Sequence, residues 1–404
     1  MLERLHPPLP FRLINGAGTA LENLGLTPLR FEPERLRAKA SRATGLSDFG
    51  PGPHEEGLEV LCRSFEEDAR LSLIGRIGMQ NMVSRALQHL LQRVEAKKRR
   101  PDVFEAPLDP APLIVIGLPR SGTTFLHRLL CQTEGARPLR TFELQHPFPP
   151  EGKDRRRQLV DAEFARLKSM APSLDVKHFL GAEEPEECMW LLNTTLVSLS
   201  YWVFAPVHAY LEWYLEQDHH VAYQGYREHL QLFQAETPGR RLTLKAPVHT
   251  GHLDALLAAV PEAKLVQTHR DPVPVVGSTN SLIHTIHSVM SEEVDDRRTG
   301  RTNLEMLGRM MKKHLEARER HADRILDVDY DALLADPIGT VRRVHEHHGL
   351  GWREADEARL QEHLEGRQQH RFGRHEYSLE ECGLEAAEVD ALFADYRGRF
   401  LTKV

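Results

Sequence analysis

Apolar residues fall into two rhythms along this chain, and each predicts a different kind of element. Over residues 1–104 the rhythm is helical. Leu58, Leu61, Phe65, Ala69 and Leu71 recur near helical spacing, and Met82, Val83, Ala86, Leu87, Leu90, Leu91 and Val94 do so more cleanly. Between these helices and an earlier one lies Asp48–Pro53, a turn with two glycines and two prolines. Lys97, Lys98, Arg99 and Arg100 before Pro101 close the last of them with positive charge, as suits a helix C-terminus. Beyond residue 110 the rhythm changes to short runs such as Leu113–Ile116, Arg241–Leu244 and Lys264–Thr268. Such runs suit buried parallel strands, whose two faces are both covered. Helical patterns follow them: Leu126, Leu129 and Leu130 on one face, a helix from about Thr250 to Val260 ended by Pro261, and another from near Val275 through Ser281. The expected fold is α/β: a P-loop-type parallel sheet flanked by helices, with a helical N-terminal region over 1–104 capping a unit over 105–404.

The first strand leads into a loop that carries chemistry. Gly117 and Gly122 bracket it, and Thr123 and Thr124 open the next helix. Strand, glycine loop and helix together aim backbone N–H groups and a helix N-terminus at an anion. The glycine spacing is that of the P-loop, but Thr123 stands where that pattern has lysine. The missing lysine argues against ATP hydrolysis. What remains is an anion cradle whose cation, Arg120, sits inside the loop.

Composition narrows the classes. The 404 residues are 41% hydrophobic, enough for a sizeable core, and the net charge of −7 gives no reason to expect nucleic-acid binding. Cys62, Cys131, Cys188 and Cys382 are far apart and form no C-x-x-C pair, which indicates neither zinc nor a disulfide framework and fits a reducing cytoplasm. The N-terminus has no signal-peptide pattern, and no apolar run is long enough for a transmembrane segment.

Pro119-Arg-Ser-Gly-Thr-Thr124 resembles the 5′-phosphosulfate loop of sulfotransferases that use 3′-phosphoadenosine 5′-phosphosulfate (PAPS), in the spelling of the tyrosylprotein enzymes and their bacterial relatives. Further pieces agree with it. Arg270 and Ser278 match the family's R-x₇-S motif for the 3′-phosphate, and Leu244-Lys-Ala-Pro247 is similar to its catalytic lysine region. Thr44–Gly50 and Ile325–Pro337 are also similar to segments of these enzymes. The resemblance implies sulfuryl transfer from PAPS, without a metal, to a hydroxyl or amine of a small-molecule, glycan or lipid acceptor. Arg120, Ser121, Gly122, Thr123, Thr124, Arg270 and Ser278 would bind PAPS. Arg120 and Lys245 would stabilise charge, and Glu143, 23 positions beyond Arg120, would be the base. Ligands of open α/β sheets bind beyond the carboxyl ends of strands, so Arg120, Lys245 and Arg270 are expected to converge at one edge. Two other classes are a P-loop nucleotide kinase or NTPase, and a nucleotide-binding protein without catalysis.

Elsewhere the reading stays open. His178 is a weaker alternative base, and Glu183–Cys188 could begin a helix with acids in its first turn. Three of the four tryptophans and five of the eight tyrosines lie between Trp190 and Tyr226. They fit the wall of an apolar acceptor pocket or a helical core equally well. Arg367, Arg371, Arg374 and His375, within Gly366–Gly383, stand where cytosolic sulfotransferases close over the nucleotide, but without their R-K-G-x-x-G spelling.

Overall fold

The computed structural model describes residues 5–150, 152–368 and 378–401. Arg371, Arg374 and His375 lie outside them, as does the side chain of Arg367. Five parallel strands form the sheet: β1 (Leu113–Gly117), β2 (Ala136–Pro138), β3 (Arg241–Lys245), β4 (Lys264–His269) and β5 (Ile325–Asp329). Their order is β2-β3-β1-β4-β5, so β1 is central. Val115 pairs with Lys245 on one side and with Val266 on the other.

The unbroken apolar spelling of β1 follows from burial on both faces. Ile114 and Ile116 enter one hydrophobic cluster, while Leu113 and Val115 enter another. The second cluster is closed by Leu126, Leu129 and Leu130 of the helix Thr123–Leu130 and by Val341 and Val344 of the helix Pro337–His348. Each such side chain contributes roughly 1.5–3 kcal/mol on leaving water. The larger cluster joins the other sheet face to the N-terminal helices, through Leu58, Leu61 and Phe65 of His54–Glu67 and Leu87, Leu90 and Leu91 of Leu73–Arg99. The second of these helices ends at Arg99, where the basic run predicts it.

Two readings change, and one left open is decided. The segment after β3 is a 3-10 turn, Pro247–His252, followed by a short helix, Leu253–Ala259, instead of one helix from Thr250. A helix following β4 runs from Pro272 to Met290, well past Ser281. Tyr201, Trp202, Tyr210, Tyr214, Tyr223 and Tyr226 are all fully buried in the larger cluster, so these aromatics build core and do not line a pocket. Among the described residues no helix is long and apolar enough to cross a membrane.

Candidate functional site

Chain order reverses direction about β1: β2 and β3 lie on one side, β4 and β5 on the other. Such a reversal leaves a crevice beyond the carboxyl ends of the strands. The loop after β1 and the residues after β4 both open there. Gly117 and Gly122 have φ of +136° and +91°, and Arg120, though not glycine, has φ +63°. Left-handed residues of this kind turn successive N–H groups inward, the geometry of an anion nest. The loop is also clamped from both sides. A Cβ at Gly117 would lie 2.6 Å from Thr268 Oγ1, and one at Gly122 would lie 2.8 Å from Tyr330 Cδ2. The Gly117 N–H donates to Thr250 Oγ1 at 2.9 Å, and the Ser121 and Thr268 hydroxyls are 2.7 Å apart. Thr123 begins the following helix, so its N-terminus completes the cradle.

Three separate parts of the chain meet on Arg120. Its Nε donates to Ser278 Oγ at 3.0 Å, and its Nη1 donates to the Lys177 carbonyl at 2.9 Å. Arg270 Nη1 in turn donates to the Arg120 carbonyl at 2.7 Å. The Arg270 guanidinium carbon lies over Tyr330, 4.2 Å from the ring centre. Loop, Arg270 and Ser278 thus meet at one edge of the sheet.

Lys245 ends β3 beside β1 and is fully buried. An isolated ammonium there would be costly, so it needs acidic partners. It has two: Glu187 Oε1 at 2.8 Å and Glu186 Oε1 at 3.8 Å. Glu186 also holds His178, with Oε2 2.9 Å from Nε2. Beneath Lys245, a dry network fixes the backbone. The Cys188 thiol donates to the Lys245 carbonyl, His249 Nε2 lies 3.3 Å from that sulfur, and Tyr223 bonds His249 Nδ1 at 2.8 Å. Burial pushes the Cys188 thiol up to about 12 and the His249 imidazole down to about 3, so both stay neutral and act as scaffold.

Glu143 follows β2 in a segment held to the acidic run, where the Thr141 N–H donates to the Glu184 carbonyl at 3.0 Å and the Glu186 N–H to the Leu139 carbonyl at 3.2 Å. It is the third residue of the helix Thr141–Gln145, where it caps the Arg140 N–H at 2.9 Å. Arg137 grips it with both guanidinium nitrogens, at 3.0 and 2.5 Å. Its cavity, about 410 Å³, is lined also by Cys131, Ala136, Pro138, Phe142 and Arg240, along β2 and beyond its carboxyl end.

Sequence reasoning missed Tyr330, Thr250, Thr268 and Lys177, which no local pattern marks. Glu186 and Glu187 were visible only as members of an acidic run. That run does not open a helix: Arg140 and Pro185 form an antiparallel bridge, and a 3-10 helix begins at Cys188.

Comparison with known proteins gives a consistent result. The family model described as "Sulfotransferase family" matches residues 112–354. The omega-hydroxy-beta-dihydromenaquinone-9 sulfotransferase Stf3 of Mycobacterium bovis is 26% identical over 292 residues, 69% of this chain and 73% of that protein. The crystal structure of sulfotransferase STF1 from Mycobacterium tuberculosis is 31% identical with a TM-score of 0.77, covering 90% of this chain and 98% of that one. Sulfotransferase STF9 from Mycobacterium avium is 29% identical with a TM-score of 0.82, covering 91% and 96%.

Proposed function

From the premise that this chain belongs to the sulfotransferase family, enzymes that transfer a sulfuryl group, we propose that its donor is PAPS and its acceptor the hydroxyl of an apolar molecule. One observation carries the donor assignment: Arg270 closes on the carbonyl of Arg120 while Ser278 meets the Arg120 side chain. Two guanidinium groups and a hydroxyl at one glycine loop fit a nucleotide with phosphate at both ends. A nucleoside triphosphate would call for the lysine that Thr123 replaces.

PAPS, when bound, supplies the activated sulfuryl group and a phosphate leaving group. The N–H groups around Gly122–Thr124, with Ser121 and Arg120, hold the 5′ end. Arg270 and Ser278 hold the 3′-phosphate. Lys245 stabilises negative charge on the departing phosphate, its ammonium moving little because its strand is fixed from below. Burial around Lys245 keeps water away and strengthens its field. Support for an apolar acceptor comes from Stf3, whose name assigns it a hydroxylated menaquinone. The buried aromatic stretch adds nothing to that.

For the proton acceptor, Glu143 has the family resemblance in its favour. Its carboxylate would first have to leave Arg137.

Calorimetry with 3′-phosphoadenosine 5′-phosphate (PAP) and with ATP tests the donor. PAP is expected to bind at least tenfold tighter; ATP binding as tightly, or only with magnesium, would overturn the assignment. Labelled PAPS incubated with a hydroxylated menaquinone then tests the acceptor.

A further inference from the structure

His178 follows the short helix Leu174–Lys177 and joins two parts of the site. The carbonyl of Lys177, one residue earlier, receives Arg120 Nη1 at 2.9 Å. On the other side, His178 Nε2 lies 2.9 Å from Glu186 Oε2, and Oε1 of the same carboxylate lies 3.8 Å from the Lys245 ammonium. A chain of contacts therefore runs from the phosphate-loop cation through His178 and Glu186 to the buried lysine.

The protonation states follow from the partners. Burial alone would raise the Glu186 carboxyl, but His178, the Lys245 ammonium and the Glu187 amide together hold it well below the usual carboxylate range. An ionised carboxylate only accepts, so Nε2 of His178 carries the hydrogen of this contact and Nδ1 is the ring nitrogen left to face an acceptor. A buried acid that fixes the tautomer of a more open imidazole is the arrangement that makes histidine a general base. Exposure agrees: the His178 side chain is 23% accessible, against 7% for Glu186 and none for Lys245. Glu187 is about as open as His178, but its Oε1 is bound to the Lys245 ammonium at 2.8 Å, which weakens it as a base. Glu143 is clasped by Arg137.

We propose that His178 takes the proton of the acceptor hydroxyl, with Glu186 as the positioning residue. This rests on the sulfuryl-transfer reading above. As the acceptor oxygen forms its bond to sulfur, the bond from sulfur to the donor's phosphate oxygen breaks. The hydroxyl proton passes to Nδ1, and the imidazolium is stabilised by the Glu186 carboxylate. The phosphate oxygen carries the electron pair away beside Lys245, and the proton later leaves to solvent.

The experiment uses the full chain and needs no identified acceptor. Release of labelled sulfate from PAPS with water as acceptor is measured alongside transfer to a hydroxylated menaquinone, and PAP affinity is measured by calorimetry. His178→Ala is expected to lower the rate about 100-fold or more, to keep PAP affinity within about threefold, and to regain rate on addition of imidazole. Glu186→Gln is expected to lower the rate with PAP affinity likewise kept. Three results would overturn the proposal: undiminished rates in His178→Ala and Glu186→Gln, a parallel loss of PAP binding in both, or a large rate loss in Glu143→Gln alone. Failure of the underlying donor assignment would look different, because the unaltered protein would then not bind PAP.

Discussion

Replacing Arg270 with alanine separates recognition of the 3′-phosphate from support of the loop. The guanidinium has two jobs visible without ligand: Nη1 donates to the Arg120 carbonyl at 2.7 Å, and its carbon lies 4.2 Å from the Tyr330 ring centre. Losing the hydrogen bond costs about 1 kcal/mol and losing the cation–π contact about 0.5–2 kcal/mol. Both losses loosen the loop, and both weaken any adenine nucleotide equally. A charge-assisted contact to the 3′-phosphate is worth roughly 1.5–3 kcal/mol more, and only PAP receives it. The ratio of PAP to 5′-AMP affinity cancels the shared part. Arg270→Ala is therefore expected to lower that ratio about 10- to 150-fold, read by calorimetry at one fixed salt concentration. Arg270→Lys keeps the charge but not the planar fork, so its ratio should fall in between. An unchanged ratio in Arg270→Ala would refute the assignment, however much both affinities drop.

Gly122→Ala places a Cβ 2.8 Å from the Tyr330 ring at a φ of +91°, so it is expected to cost about 1–3 kcal/mol of stability and to weaken PAP binding; unchanged denaturant midpoint and affinity would contradict the clamped loop. His127, His249, His287 and His314 are fully buried, and burial pushes each imidazole down to about 3. The unfolded chain binds these protons near pH 6.5 and the folded one does not, so stability falls as pH drops below about 6.5, by up to about 1.4 kcal/mol per pH unit for each histidine. Melting curves from pH 7.5 to 4.5 check this, and a flat profile between pH 6 and 5 would count against the buried neutral histidines.

The sheet was legible because its strands are covered on both faces. Leu113–Ile116 must be apolar at every position when alternate side chains enter different clusters, and no other element of that length needs this. Arg270 and Ser278 were legible for a related reason, since a strand end and the next helix turn have a nearly fixed spacing. Features set by distant packing were not. The stretch after β3 carries helical apolar spacing, yet it begins as a 3-10 turn in which a Cβ at Gly251 would lie 2.8 Å from Met310 Cγ of the helix Asp296–His321. The aromatic residues from Trp190 to Tyr226 were ambiguous because a pocket wall and a core demand the same spelling.

The hardest part to read was the acidic and imidazole shell around Lys245, whose members lie 58 to 67 positions away from it. Yet the need for that shell was implicit in the strand. A lysine closing a strand buried at every position, as Arg241–Lys245 is, is placed where an unpaired ammonium costs several kcal/mol. Such a residue requires carboxylates from elsewhere in the chain, and the densest acidic run upstream of it is Glu183–Glu187. Both of that run's last two acids reach the ammonium, whereas Glu143, chosen by its distance from the loop, is bound to an arginine six positions before it. A local i, i+6 pair such as Arg137–Glu143 holds its own helix start and needs no distant partner. Charge balance at a buried strand end thus points to Glu186 and Glu187 as the partners of Lys245, which no spacing from the glycine loop could do.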